Sequence, residues 1–296
     1  MERIQPDVLL LHNTLHDHCL DALQQYRKMN NVFMVFSQDD LMFAVPPKSS
    51  CFKTGYKDIK KRLRICLSMV DRLVVTSEPL ADELSGFISD IRIVPNRLDA
   101  GIWGTLESRR GCGVKPRVGW AGAMQHHGDL EMMANAVRET ADEVDWIFMG
   151  MCPEFLRPYV KEVHEYVAFS AYPETLAKLN LDLAVAPLER NRFNRCKSNL
   201  RILEYGAMGW PVIASDIEPY REAPVHLVSN QTRAWVNAIR EHTHDLDTTW
   251  KAGDTLREWV RKNYLLQQHL DDWLDALDPS DGSRCQSLAP GKASGL

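Results

Sequence analysis

The stretch Asp182-Leu-Ala-Val-Ala-Pro-Leu188, the loop Glu189-Arg-Asn-Arg-Phe-Asn-Arg-Cys-Lys197, the run Ser198-Asn-Leu-Arg-Ile-Leu-Glu-Tyr-Gly-Ala-Met208 and the segment Pro211-Val-Ile-Ala-Ser215 decide the fold. A short apolar run, a polar loop, a helical periodicity stopped by Gly209 and a second apolar run form one strand–loop–helix–strand unit, the repeat of a parallel α/β sheet. In such sheets ligands collect beyond the C-terminal ends of the strands, where helix N-termini present unpaired N–H groups and a partial positive charge. Residues 189–201 hold Arg190, Arg192, Arg195, Lys197 and Arg201 against the single acid Glu189, in a chain whose net charge is −5. That contrast points to a phosphorylated ligand. Glu204 lies six residues past Ser198, about 9 Å along a helix. There its carboxylate suits ribose hydroxyls while a diphosphate occupies the helix start. The alternative is a solvated loop with a surface Arg201–Glu204 pair.

Working outward, residues 8–11, 32–36, 72–76 and 91–94 are four further strand-like runs separated by helical stretches. Thr76-Ser-Glu-Pro79 opens a helix over 80–84, and Pro95-Asn96 follows the fourth run. Segment 108–116 has the Gly/Arg/Lys composition of an interdomain linker. After it come a strand over 117–121, a helix over 130–140 and strands over 146–149, 183–187 and 211–215. The expected class is α/β, with two Rossmann-like domains of parallel strands. Their bounds read as 1–112 and 113–245, with closing helices over 246–277 that pack back on the first domain and a disordered tail over 278–296.

A chain of 296 residues, 45% hydrophobic and 25% charged, has room for two domains. Its acidic balance excludes a general nucleic-acid binder. Seven scattered cysteines without a Cys-x-x-Cys pair argue against a disulfide framework or zinc knuckle and for a reducing compartment. No apolar stretch approaches the roughly 18 residues of a membrane span. The expected location is therefore cytoplasmic, with room for peripheral contact at the inner face of the membrane.

Asp182-Leu-Ala-Val-Ala-Pro-Leu188 followed by Lys197-Ser-Asn-Leu-Arg-Ile-Leu-Glu-Tyr-Gly-Ala-Met-Gly-Trp-Pro-Val-Ile-Ala-Ser-Asp216 resembles the nucleotide-sugar-binding domain of family 4 glycosyltransferases. Among these it is similar to the bacterial surface-polysaccharide, O-antigen type. Gly119-Trp-Ala-Gly122 with His126 and Asp129-Leu130, Ser37-Gln-Asp-Asp-Leu41, Val70-Asp-Arg-Leu-Val-Val-Thr-Ser-Glu-Pro-Leu-Ala81 and Val94-Pro-Asn-Arg-Leu-Asp99 agree in order. The resemblance implies a GT-B architecture, with two Rossmann-like domains facing a cleft, and no cofactor. It implies metal-independent, retaining transfer of a sugar from a nucleotide-diphosphate donor to a glycan or lipid-linked acceptor. Glu204 would hold the donor ribose, and Lys197, Ser198, Asn199 and Arg201 would surround the diphosphate. Arg195 and the rest of the loop would supply further positive charge to the leaving phosphate. Gly119 and Gly122 would let the backbone approach the donor closely.

The sequence departs from this family in three places. Cys196 stands eight residues before Glu204, where the wider family has a glutamate. The loop after Gly119 offers Trp120, His126 and His127 in place of the usual Arg and Lys. The first domain looks truncated, which leaves room for a partner subunit that completes it. The alternative function is thus a catalytically inactive nucleotide-sugar-binding subunit of a glycosyltransferase complex. A nucleotide-sugar epimerase would need more acids in the cleft.

His12, Asp39 and Asp40 are the catalytic candidates. His12 ends the first strand and could touch sugar or acceptor. A metal cluster of His12, His16, Asp17 and His18 is one alternative, and a helix start capped by Asn13 or Thr14 is another. Asp39 and Asp40 follow the second strand and could orient an acceptor hydroxyl or act as a base; a plain Asp-rich turn is the bland reading. His126 either touches donor phosphate or sugar, or caps a helix. Trp235, Trp250, Trp259 and Trp273 read as packing residues more than sugar platforms.

Overall fold

Phe33, Met34, Val35 and Phe36 give a strand with apolar side chains on both faces, and all of them are buried, as expected for a strand with parallel neighbours on either side. The computed structural model describes residues 6–13, 15–48 and 58–281. Thr14, Cys51, Cys285 and the tail from 282 onward lie outside these residues.

In chain order the elements are β1 Val8–His12, α1 Asp17–Met29, β2 Phe33–Gln38, α2 Ile59–Leu67, β3 Arg72–Val75, α3 Glu78–Leu84, β4 Ile91–Ile93, α4 Ala100–Trp103, β5 Arg117–Ala121, α5 His127–Thr140, β6 Asp145–Met149, β7 Glu162–His164, α6 Tyr172–Ala177, β8 Leu183–Ala186, α7 Arg192–Arg195, α8 Leu200–Ala207, β9 Val212–Ser215, β10 His226–Val228, α9 Thr232–His244, α10 Leu246–Asn263 and α11 Leu270–Leu277. None of these helices is long and apolar enough to cross a membrane.

The chain divides into two units. The first holds a four-stranded parallel sheet in the order β1-β2-β3-β4, with Leu11 opposite Phe36 and Ser37 opposite Val74. Its core joins Phe33, Val35, Val74 and Val94 to Ala276 on α11. Arg72, fully buried in β3, explains how that last helix is held. Its Nη1 donates to the carbonyls of Asp275, Ala276 and Asp278 at 3.3, 3.0 and 2.9 Å, and its Nε donates to Asp90 at 2.9 Å. The otherwise unpaired carbonyls at the end of α11 thus meet a cation.

The second unit holds six parallel strands in the order β10-β9-β8-β5-β6-β7. From β5 the chain winds outward through β6 and β7. It then returns beside β5 as β8 and winds the other way through β9 and β10, so the switch point lies between β5 and β8. One face is covered by a core that includes Ile202, Leu203, Leu256 and Val260 from α8 and α10. On the other face Leu130, Met133 and Val137 of α5 pack with Trp235 and Ile239 of α9. Gly209 ends α8 with φ +71°, the left-handed turn expected after a helix.

The unit bounds differ from the expected 1–112, 113–245 and 246–277. The first unit comprises residues 1–39, 58–94 and 271–296, and the second 40–57 and 95–270. The cause is local packing. Leu98 sits in the second unit's core and its N–H donates to the Tyr264 carbonyl at 2.9 Å. The stretch that resembles a linker is docked there as well: Gly111 donates its N–H to Asp182 at 2.6 Å, and Arg110 donates to Asp254 at 2.6 Å. Helix α10 buries Leu256 and Val260 in the same core, so of the closing helices only the part from Asp271 joins the first unit.

Candidate functional site

Two loops leave the switch point of the second sheet, one after β5 and one after β8, and a single buried carboxylate ties them together. Asp129 is 4% exposed. Its Oδ1 accepts from the Glu189 N–H at 2.7 Å and from Asn194 Nδ2 at 3.2 Å, and its Oδ2 lies 2.7 Å from His126 Nδ1. The β8 loop is pinned at its start too. The Leu188 N–H donates to Ser215 Oγ and the Leu188 carbonyl accepts from Asn230 Nδ2, each at 2.8 Å. Sequence reading placed Asp129 in the motif with His126 but gave it no role, although its spacing of three from His126 at a helix start was a visible signal.

His126 is 7% exposed and sits at the N-cap position of α5. Burial, and after it the charge of Arg201, bring its pKa down to about 4, so the ring is neutral at pH 7. Trp120 is the shared neighbour: its ring meets His126 edge-on at 6.2 Å and lies under the Arg201 guanidinium at 5.5 Å.

Helix α8 opens at Asn199, whose carbonyl accepts from the Ile202 N–H at 2.8 Å. Ser198 Oγ accepts from Asn96 Nδ2 at 2.8 Å, which fixes the hydroxyl at the helix entry. Lys197 lies 3.5 Å from Asp40 and 4.6 Å from the centre of the Phe193 ring. Further along the helix Glu204 is half-buried and accepts from the Tyr172 hydroxyl at 2.9 Å. Burial pushes the Glu204 carboxyl up to about 7, against the opposing pull of that hydrogen bond and of Arg201. Tyr172 gave no sequence signal, because it approaches from 32 residues away.

The expected positive loop is partly neutralised by acids from other elements. Arg190 reaches Asp216 at 3.4 Å, and Arg195 reaches Glu218 at 3.2 Å. Arg195 therefore faces a carboxylate across an exposed surface pair. Gly119 is also required by packing. It lies in the middle of β5, where a Cβ would stand 2.6 Å from Leu181 and 2.9 Å from the Ile147 carbonyl, so its smallness serves sheet packing. At Gly122, just past the strand end, a Cβ would strike Trp120 and come within 2.9 Å of Arg201 Nη2. Cys196 is 1% exposed and presents no acid.

In the first unit His12 and Asp39 come together, with Nε2 3.6 Å from the carboxylate and both side chains about half exposed, at 53% and 47%. His16 stacks on His18 at 5.7 Å. Asp40 belongs to the second unit, where it meets Lys197. Trp235 is wholly buried, and Trp259 and Trp273 pack against the cores.

No family model and no curated protein sequence matches the chain. Solved structures do match. TarM of S. aureus aligns with a TM-score of 0.64 at 14% identity over 92% of this chain, which spans only 54% of TarM. HepE of Anabaena, solved in complex with UDP and glucose, aligns with a TM-score of 0.67 at 13% identity over 92% of this chain and 78% of its own. The pneumococcal O-GlcNAc transferase GtfA, in complex with UDP and GlcNAc, aligns with a TM-score of 0.61 at 12% identity over 91% of this chain and 56% of its own.

The fold is that of GT-B glycosyltransferases. The loop after β8 and the helix α8 that follows it carry Lys197, Arg201 and the hydrogen-bonded Glu204.

Proposed function

We propose that this chain binds a nucleotide-diphosphate sugar at the β5–β8 switch point and transfers the sugar, with retention and without a metal ion, to a glycan or lipid-linked acceptor in surface-polysaccharide assembly. The observation that carries the reading is the arrangement along α8. Lys197, Ser198 and Arg201 stand at the helix start, and Glu204, held by Tyr172, stands further along. Diphosphate oxygens accept hydrogen bonds from the helix start and both cations, and the charge that builds on the leaving phosphate is met there. Ribose hydroxyls donate to Glu204. The UDP-bound neighbours TarM, HepE and GtfA support this reading.

A second reading rests on one observation: buried, apolar Cys196 occupies the place of the family's first glutamate. On that reading the chain binds the nucleotide sugar as a non-catalytic subunit. Calorimetric titration with UDP, GDP and dTDP and their sugar conjugates, in excess EDTA, tests the site. Saturable micromolar binding of one nucleotide supports it, and no binding by the folded protein refutes it. Slow sugar release from the bound donor separates the enzyme from the inert subunit.

A further inference from the structure

The two sides of the His126 ring are not equivalent. Nδ1 lies 2.7 Å from Asp129 Oδ2, and the other oxygen of that carboxylate is already held by the Glu189 N–H and Asn194 Nδ2. An ionised carboxylate only accepts, so Nδ1 carries the proton it donates. The neutral ring is then fixed in one tautomer, with a lone pair on Nε2. A lone pair repels a phosphate oxygen and takes a hydrogen bond from an O–H group. We propose that His126 reads a hydroxyl of the donor's sugar and makes no contact with its phosphates. This deepens the nucleotide-sugar reading above and rests on it.

The surroundings fit that division of labour. The charged groups that act on His126 are Arg201 and Lys197, which oppose a proton on the ring, and Asp129, which favours one. The two cations belong to the start of α8, where the diphosphate would sit, and burial, the largest cause, keeps the His126 ring neutral beside them. Trp120 borders both groups, its ring 6.2 Å from the imidazole and 5.5 Å from the Arg201 guanidinium. An aromatic ring next to a hydrogen-bond acceptor, with cations nearby, suits a sugar attached to a diphosphate.

The test compares paired probes, UDP with UDP-glucose, GDP with GDP-mannose and dTDP with dTDP-glucose, on the full chain. For the pair that binds, His126→Phe is expected to weaken the sugar conjugate about five- to tenfold, the worth of one hydrogen bond, and to leave the bare diphosphate within about twofold. His126→Gln, which places an amide oxygen near the Nε2 position, is expected to restore most of the difference. Long-range proton–nitrogen NMR should show Nε2 unprotonated at pH 7, and its signal should move with the sugar conjugate but not with the bare diphosphate. Equal weakening of both probes by His126→Phe, or no weakening of either, overturns the assignment while the nucleotide site stands. Absence of binding of every probe to the folded wild-type chain overturns the site reading and this one with it.

Discussion

Tyr172 donates its hydroxyl proton to Oε2 of Glu204 across 2.9 Å, so the carboxylate proposed to hold the ribose already accepts from a neutral donor before any ligand arrives. A carboxyl pushed up to about 7 by burial shares its proton nearly evenly at neutral pH. Ribose hydroxyls favour its ionised form, so nucleotide binding should release a proton. Affinity is expected to rise by up to about tenfold per pH unit below 7 and to level off above it. Calorimetry in buffers of different ionisation enthalpy measures the released proton, and Glu204→Gln should abolish both the release and the slope.

Tyr172→Phe removes the hydrogen bond that favours the ionised carboxylate. The proton release should shift to higher pH, and nucleotide affinity at pH 7 should fall about three- to tenfold. An unchanged pH profile in this variant would disconnect Tyr172 from the site.

His126 and Glu204 impose opposite pH dependences on stability. His126 falls from 6.5 to about 4, so its neutral burial stabilises fully above 6.5 and that stability is lost as pH drops toward 4. Glu204 rises from 4.5 to about 7, so its contribution is full below 4.5 and lost as pH climbs toward 7. Each changes stability by about 1.4 kcal/mol per pH unit, and over the shared window the slopes cancel. Glu204→Gln should leave stability rising with pH between 4.5 and 6.5, and His126→Gln should leave it falling. Urea denaturation across that range reads both slopes.

Asp129→Ala removes the acceptor shared by His126, Glu189 and Asn194 and should cost roughly 2–4 kcal/mol. Because the carboxylate joins both loops, nucleotide binding should weaken even where the fold persists. Asp129→Asn keeps one oxygen for the β8 loop and should recover part of the stability.

Arg72→Met keeps the buried stem and deletes the guanidinium that holds the end of α11, at a cost of about 3 kcal/mol. Hydrogen exchange in 271–278 should speed up with little change in the second unit. Uniform acceleration would mean that α11 is held by its apolar contacts alone.

Much of the fold is legible because strands such as 117–121 and 211–215 are continuous apolar runs, and Gly209 marks where α8 stops. The edge strands β7 and β10 are not, since Glu162-Val-His164 and His226-Leu-Val228 are short, half-buried and partly polar. The site divides in the same way. Lys197 to Glu204 stands out because its members share one helix and its entry. Tyr172, Asp216, Glu218 and Asp40, which pair with that helix and loop, arrive only through tertiary packing. A local count of positive residues therefore overstates the free charge. The unit boundary was hidden because a polar, Gly-rich stretch can be anchored by hydrogen bonds as firmly as a core segment by burial.

The first unit is assembled from three separated pieces of chain, the last beginning at Asp271, and Arg72 reaches the carbonyls of that last piece. On a ribosome, which delivers the chain from its N-terminus, the sheet made first must wait for the helix made last. Residues 95–270 are synthesised in the interval, so the second unit has all its strands before the first can close. The order of synthesis and the order of completion are therefore reversed, and the early strands lack their last covering helix throughout that interval.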